Sequence, residues 1–207
     1  MAHVWQAELK AALLITGAGL DTLIDSVLED VVRAVETHIG LTLFDPGSDV
    51  TEYLDGDGTR YLETDQAPIL SVTSIHSDTT REWTADTEVD SYLFDISDDQ
   101  PEKSTVGQIR AVYSQSATNQ IFCFADGEDN VRVIYRPGWT DKDSIPPDIR
   151  RAVLRWGAFA IKTWERKTHG VKTENMADGS VNIVDDKPPA EVERLLKKWV
   201  RPAGFGR

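Results

Sequence analysis

The sequence predicts an α+β fold: a small helical bundle formed by the N- and C-terminal segments, with an inserted antiparallel β subdomain. Two changes of periodicity indicate this class. Near both ends of the chain, apolar residues recur every three or four positions, as on one face of a helix. Between these ends the pattern alternates with period two, as in half-buried strands. We assign residues 1–45 and 140–207 to the helical core and residues 46–139 to the β insert.

Two helices are predicted at the N-terminus. Residues 3–14 mix leucines with helix-forming Ala, Glu and Lys, and Thr16-Gly17-Ala18-Gly19 ends this helix. A longer helix over residues 20–39 has an acidic face, and Gly40 suits its C-terminal end. The predicted apolar stripes are Val4, Leu9, Leu13 and Leu14 in the first helix, and Leu20, Leu23, Ile24, Val27, Leu28, Val31, Val32, Val35 and Ile39 in the second.

The β insert begins with a predicted hairpin. Residues 50–54 and 60–63 flank Asp55-Gly56-Asp57-Gly58, and glycine accepts the positive φ angles of tight turns. A calcium loop would need Gly at its sixth position and an acidic ligand at its twelfth, but these are Arg60 and Gln66. The turn is therefore structural. Further strands are predicted at residues 68–75, 92–95, 108–112, 121–124 and 131–135, with a polar loop at 98–105.

The C-terminal part contains two predicted helices. Pro146-Pro147 opens the first, since proline suits the first helical turn, and Asp148 complements the helix dipole. A long polar loop at 168–187, with a short strand at 181–184, separates it from a last helix that starts after Pro188-Pro189. The apolar faces are Ile149, Val153, Trp156, Ala160, Ile161 and Trp164, then Val192, Leu195, Leu196 and Trp199.

Composition limits the class of protein. The formal charge is −13 at pH 7, but residues 147–207 hold 13 Lys and Arg against 8 Asp and Glu. The acidic remainder disfavours tight binding to nucleic acid through phosphates. No apolar run is long enough to span a membrane and no leader opens the chain, so we expect a soluble protein. The single cysteine, Cys123, lies between two phenylalanines and is expected to be buried in a strand.

The sequence shows no catalytic constellation. The four histidines, His3, His38, His76 and His169, lie in separate segments without metal-ligand spacing. Neither phosphate-binding glycine motif is present, and the paired carboxylates lie in turn-like polar runs. We therefore expect no enzyme activity, no metal and no cofactor.

Four motifs, in order, resemble the head–tail connector proteins of tailed bacteriophages, also called adaptor or head-completion proteins. The N-terminal segment 7–40 resembles the family's opening pair of helices. The hairpin and the Pro-hydrophobic-x-Ser-Val-Thr-Ser-hydrophobic run at 68–75 resemble its β region. The central motif of the resemblance is a strand that ends in Tyr-x-x-Gly-aromatic (135–139), followed by Ile-Pro-x-Asp (145–148) and a long helix. The run 188–202 resembles its closing helix.

The resemblance implies a structural virion protein at the head–tail interface, assembled in the host cytoplasm. It implies a homo-oligomeric ring of about twelve copies under the portal protein, closed by one repeated heterologous contact. The ring would extend the DNA channel without sequence-specific DNA binding or membrane contact. It would also be the platform for a downstream neck or tail protein, either a stopper or a tail terminator.

Two sets of site residues follow from the charge pattern and this resemblance. The acidic side chains of the second helix, Asp21, Asp25 and Glu29, are candidates to face the DNA channel. The basic tail is a candidate portal-docking segment, because Arg and aromatic residues are enriched at interfaces. This segment comprises Arg194, Lys197, Lys198, Trp199, Arg201, Phe205 and Arg207.

Two other functions are weighed against a connector. The β insert could be a binding module for protein or carbohydrate, in which case residues 50–136 should fold and bind alone. An enzyme that uses the acidic loops is the third hypothesis, and single Asp→Asn changes would then abolish its activity.

Overall fold

The computed structural model describes residues 2–84, 87–89, 92–94, 107–111, 123–170 and 187–201. The chain forms two compact units. The helical unit comprises Met1–Ile39 and Lys142–Val200, and the β unit comprises Gly40–Asp141 and Arg201–Arg207. Helices and antiparallel strands occur together, which confirms the predicted α+β class. The sequence placed the whole C-terminal segment with the helices, whereas Arg201 lies in the β unit.

The helical unit is built from four named helices among the described residues. They are α1 (Gln6–Leu13), α2 (Asp21–Ile39), α3 (Pro147–Gly170) and α4 (Ala190–Leu196). Short 3-10 turns at Ala2–Trp5 and Lys197–Trp199 precede α1 and follow α4. α3 packs against each of the other three helices, which makes it the central element of the unit.

Helix α3 begins where its two prolines predict. Its first turn starts at Pro147, and the Arg150 amide donates to the carbonyl of Pro146 at 3.1 Å. One residue on α3 allows the helices to approach closely. A Cβ at Gly157 would lie 3.1 Å from Leu9 Cδ2 and 3.7 Å from Leu28 Cδ2, so α1 and α2 both reach the α3 backbone there. The two long amphipathic helices therefore touch, as their stripes predict.

The predicted stripe of the first helix is partly wrong. Val4 and Leu14 are exposed, whereas Leu9 and the unpredicted Trp5 are completely buried. α1 ends at Leu13, and Leu14 takes a left-handed φ of 58° that turns its side chain outward. In α2, by contrast, seven of the nine predicted apolar residues are buried: Ile24, Val27, Leu28, Val31, Val32, Val35 and Ile39.

The β unit contains two antiparallel three-stranded sheets among the described residues. One sheet has the order β1-β6-β3, with β1 at Val50–Gly56, β3 at Ile69–Ser77 and β6 at Gly127–Pro137. The other has the order β2-β5-β4, with β2 at Tyr61–Glu63, β4 at Tyr92–Phe94 and β5 at Gln108–Ala111. Both sheets contribute to one hydrophobic core: Leu62, Ile69, Ile75, Val89, Ile109, Phe124, Val131, Val133 and Tyr135.

The predicted hairpin between residues 50–54 and 60–63 is wrong. β1 pairs with β6, and β2 pairs with β5, so the two strands belong to different sheets. The chain does turn between them: Asp57 accepts the Thr59 amide at 2.9 Å, and Gly58 has a φ of +75°. Gly56, however, lies against Ala125 and Asn130, where a Cβ would be 1.8 Å from the Ala125 carbonyl oxygen. This close approach favours the pairing of β1 with β6.

Other predictions are corrected or fall outside the described residues. Cys123 is exposed and lies outside any strand, while its neighbour Phe124 is completely buried. The polar loop at 98–105 and the short strand at 181–184 lie outside the residues that the structure describes. The start of the predicted 168–187 loop is helical, because α3 continues to Gly170.

Candidate functional site

The described residues show no metal-binding cluster. No group of three or more His, Cys, Asp or Glu side chains in this part of the chain could hold a metal ion. Likewise, no helix within the described ranges has the length and apolar character needed to cross a membrane. The chemically distinctive features of the described residues are groups of charged and aromatic side chains.

The basic C-terminal segment is partly exposed. Arg194, Lys197 and Lys198 are exposed, and Trp199 is half-buried with a buried indole Nε1 that has no hydrogen-bond partner among the described residues. Lys198 Nζ lies 5.1 Å from the centroid of the Trp199 ring. Phe205 and Arg207, the other terminal candidates, lie outside the described residues. The structure thus brings four predicted docking residues together at the end of α4.

Two ion pairs bind this segment to α3. Lys198 Nζ lies 2.6 Å from Asp148 Oδ2 at the start of α3, and Arg155 pairs with Glu191. The hydrogen bond from Lys198 lowers the pKa of Asp148 below its ordinary value. These pairs fix α4 to α3 and leave Arg194 and Lys197 as exposed cations that form no ion pair within the described residues.

Arg201 has a different role from the rest of the predicted segment. Its Nη1 donates to the Asp65 carbonyl at 2.6 Å, and its Nη2 donates to the Thr64 carbonyl. Its Cβ also lies 3.4 Å from where a Cβ on Gly40 would be. The Arg201 guanidinium therefore bonds inside the β unit, to the backbone of the turn after β2.

The acidic candidates of α2 are not equivalent. Asp21 pairs with Lys10 at 2.5 Å, and Asp25 accepts a hydrogen bond from Gln6 Nε2 at 2.9 Å. Both contacts join α2 to α1. Glu29 is exposed, one turn beyond Asp25. Of the three predicted channel residues, Glu29 alone is exposed, whereas Asp21 and Asp25 are half-buried and serve packing.

Sequence reasoning missed a structured loop after β3. Asp78 is buried, and its carboxylate accepts hydrogen bonds from the amides of Thr80, Glu82 and Trp83 at 2.8, 3.0 and 3.0 Å. The hydrogen bond from the Thr80 hydroxyl is the largest cause that lowers the Asp78 pKa. The loop is also fastened to β6, because Asp78 donates its amide to the Asn130 carbonyl at 2.8 Å and Arg81 donates to the Glu128 carbonyl.

This loop presents an aromatic and cationic cluster on the outer face of the first sheet. The Trp83 ring lies 5.7 Å from the Tyr53 ring at an angle of 52°, and the Arg132 guanidinium lies 5.3 Å from the Trp83 centroid. Tyr53 and Arg132 are cross-strand partners on β1 and β6. We call these three residues the Trp83 cluster. The signal in the sequence was a tryptophan within a polar run.

Backbone strain accompanies the Trp83 cluster. Arg81 and Trp83 have φ values of +61° and +53°, the left-handed region that costs an L-residue about 1–2 kcal/mol. The Asp78 hydrogen bonds hold this conformation. Residues in such strained conformations cluster at functional sites, where the surrounding structure holds them in place. A loop that places a half-buried tryptophan over a sheet face is thus a candidate binding element.

The Tyr-x-x-Gly-aromatic motif has a clear structural basis. Gly138 has a φ of +98°, and a Cβ there would lie 2.6 Å from the carbonyl carbon of Phe44. Its amide donates to the Pro68 carbonyl at 2.9 Å, and the carbonyl of Trp139 accepts the Asp45 amide at 3.1 Å. The motif therefore joins three segments of the β unit at one point where only glycine fits.

Tyr135, the first residue of that motif, anchors a partly buried polar network. Its hydroxyl donates to Glu52 on β1 and accepts the Gln66 amide at 3.0 Å, while Glu52 Oε2 accepts the Asp65 amide at 2.8 Å. Burial is the main cause that raises the pKa of both Glu52 and Tyr135, and the Glu52 carboxylate raises that of Tyr135 further. The network fixes the turn after β2 to the central strand.

The chain shares its fold with chains of gene transfer agent (GTA) particles. No protein-family model matches the sequence, and neither does any curated protein. Among solved structures, a chain in the neck of an empty GTA particle, computed with C6 symmetry, matches with a TM-score of 0.56 and 18% identity, over 98% of this chain and 91% of that one. A chain in the neck of the native GTA particle, computed with C12 symmetry, matches over the same shares with a TM-score of 0.53 and 14% identity. A chain in the virion of the native GTA particle also matches, with a TM-score of 0.53 and 15% identity.

Proposed function

We propose that this protein is a structural component of the neck of a tailed-phage-like particle. In this role it is a head–tail connector, without enzymatic activity, that forms a ring of about twelve copies under the portal. The ring extends the DNA channel and is the platform for the next neck or tail protein. One observation carries the proposal: the fold likeness extends over 98% of this chain, and two of the matched structures are necks.

The surfaces of the two units support this role. At the end of α4, exposed cations lie beside the half-buried Trp199, and in the Trp83 cluster the half-buried Arg132 and Trp83 lie beside the exposed Tyr53. Aromatic and arginine side chains dominate the binding energy of protein interfaces. The acidic balance of the chain, with 35 Asp and Glu against 22 Lys and Arg, would repel DNA that passes through the ring.

The direct test is cryo-electron microscopy of the neck of the particle to which this protein is proposed to belong. We expect its density as a ring between the portal and the next neck protein. Deleting the gene should give heads that contain DNA but lack tails. Purified particles that attach tails normally without this protein would refute the proposal.

We propose further that the exposed end of α4 docks on the portal. The double substitution Arg194→Glu with Lys197→Glu should weaken recruitment to purified heads and leave the melting temperature unchanged. Lys162→Glu is a matched control, since Lys162 is also an exposed cation of the helical unit but lies on α3. Equal recruitment of the double variant and the control would refute docking through this segment.

The DNA-channel assignment is best tested at Glu29, the exposed member of its acidic set. Glu29→Lys should slow DNA exit, because a cation on the channel wall attracts phosphates. Glu128→Lys is a control for the loss of one acidic charge, because Glu128 is exposed in the β unit. Unchanged DNA ejection by the Glu29 variant would remove α2 from the channel wall.

A further inference from the structure

We propose that the Trp83 cluster is a docking site for an adjacent copy of this chain, which supplies a carboxylate to Arg132. The inference rests on the proposed ring, and it names one face of the contact between copies. It concerns the outer face of the sheet β1-β6-β3, which the proposed portal and channel residues do not include.

The first support is an unpaired cation. Arg132 stacks on Trp83, but within the described residues no carboxylate pairs with it, and its buried Nε has no hydrogen-bond partner. The buried Nε of Arg136, two positions further on the same face, also has no hydrogen bond within the described residues, but Arg136 does form ion pairs: its Nε lies 3.5 Å from Asp45 and 3.4 Å from Asp49. The fold thus neutralises one arginine of this face and leaves the other available.

The second support is preorganisation. Tyr53 is 53% exposed although it stands on a paired strand, and Trp83 is held over the same face by the Asp78 hydrogen bonds. The backbone of Trp83 is therefore held in place by the fold itself, with the Tyr53 ring and the Arg132 guanidinium against the Trp83 ring. A fixed aromatic anchor beside an arginine is the usual composition of an interface hot spot.

Charge identifies the partner. Residues 40–141 contain 20 Asp and Glu but only 6 Lys and Arg, so most of the charged side chains that this unit of a second copy could offer to Arg132 are carboxylates. DNA fits poorly, because it would bring a continuous row of phosphates against the acidic unit, whereas a single carboxylate of a second copy is enough to pair with Arg132. A sugar also fits poorly, since Arg132 occupies one face of the Trp83 ring and the Tyr53 ring is inclined to it by 52°. An acid-rich neighbouring copy fits both the cation and the rings.

Photo-crosslinking in assembled particles identifies the occupant. With p-benzoylphenylalanine in place of Tyr53, irradiated particles should yield covalent dimers of this chain, with the crosslink mapped to a peptide that contains Asp or Glu. Crosslinks to a different protein, or the absence of any crosslink, would overturn the proposal.

Charge reversal tests the role of Arg132. Arg132→Glu should weaken association of copies about 30-fold, the size of one hot spot, and so reduce the occupancy of the protein in the neck. The control is Arg60→Glu, since Arg60 also lies over an aromatic ring, at 5.1 Å from Tyr61, but outside the cluster. Replacing the crosslinked carboxylate by arginine should restore occupancy to the Arg132→Glu variant.

The two proposals fail in different ways. If the wild-type protein is absent from necks, the connector role fails and this inference fails with it. If the wild-type protein is present in necks but Arg132→Glu has the occupancy of the Arg60→Glu control, the connector role stands and the Trp83 cluster is not the contact between copies.

Discussion

Replacing Gly138 by alanine should strongly destabilise the β unit. At a φ of +98°, an L-residue costs about 1–2 kcal/mol more than glycine. In addition, the new Cβ would lie 2.6, 2.7 and 2.8 Å from backbone atoms of Phe44 and Asp45. Either the turn at Gly138 or the segment at Phe44 and Asp45 must therefore move. This movement weakens the Gly138–Pro68 and Asp45–Trp139 backbone hydrogen bonds, each of which contributes about 0.5–1.5 kcal/mol. We expect a total loss of about 2–5 kcal/mol in the free energy of unfolding.

Substitutions at two other glycines separate the cost of the positive φ from the cost of the steric clash. Gly58→Ala has the same backbone cost, with a φ of +75°, but a Cβ there meets nothing within 4 Å, so it should lose only about 1–2 kcal/mol. Gly56→Ala has the clash, 1.8 Å from the Ala125 carbonyl oxygen, without a positive φ. Urea unfolding followed by far-UV circular dichroism measures all three. A Gly138→Ala loss no larger than that of Gly58→Ala would refute the close approach to Phe44.

Four further predictions concern named side chains. Tyr135→Phe should cost about 2–4 kcal/mol of unfolding free energy, since it leaves Glu52 and the Gln66 amide without their shared partner; a loss below about 1 kcal/mol would contradict the network. Because burial raises the pKa of Glu52 above 4.5, the folded state binds this proton more tightly than the unfolded chain, so wild-type stability should fall relative to Glu52→Gln as pH rises from 4.5 through the folded-state pKa. Parallel pH profiles of the two proteins would contradict that sign. A chain that ends at Val200 should be about 1–3 kcal/mol less stable than one that ends at Arg201, which keeps the bonds to Thr64 and Asp65; equal urea midpoints would show that those bonds contribute nothing. Cys123 is exposed, so it should react with a maleimide as fast in native protein as in urea, and strong native protection would contradict its position.

The helical elements could be predicted from sequence because their signals are local. The stripe of α2 and the prolines before α3 each encode an element without reference to the rest of the chain. The N-terminal helix shows the limit: Leu14 and Leu9 look alike in sequence, but α1 ends between them and only Leu9 is buried. Apolar periodicity predicted the buried face of the long helix α2, but it failed to predict which residues of the eight-residue helix α1 are buried.

The strand partners and the Trp83 cluster could not be predicted, since they depend on distant residues. Asp55-Gly56-Asp57-Gly58 encodes a turn, but the partner of β1 is decided by the fit of Gly56 against Ala125 and Asn130. In the same way, Trp83 is placed by Asp78, and Arg132 meets it only after β6 has paired. Glu29 and Arg194 are exposed, as their positions on the polar faces of α2 and α4 predict, and their proposed roles stay predictions.

The position of β6 has a consequence for synthesis of the protein. It is the last strand of its sheet in the chain, yet it lies at the centre, with Val50 opposite Tyr135 and Ser77 opposite Val131. On the ribosome, β1 and β3 therefore emerge with open edges and wait for their common partner, and pairing over such separations is slow. Any truncated translation product that stops before residue 127 would lack the template strand and expose both edges to aggregation.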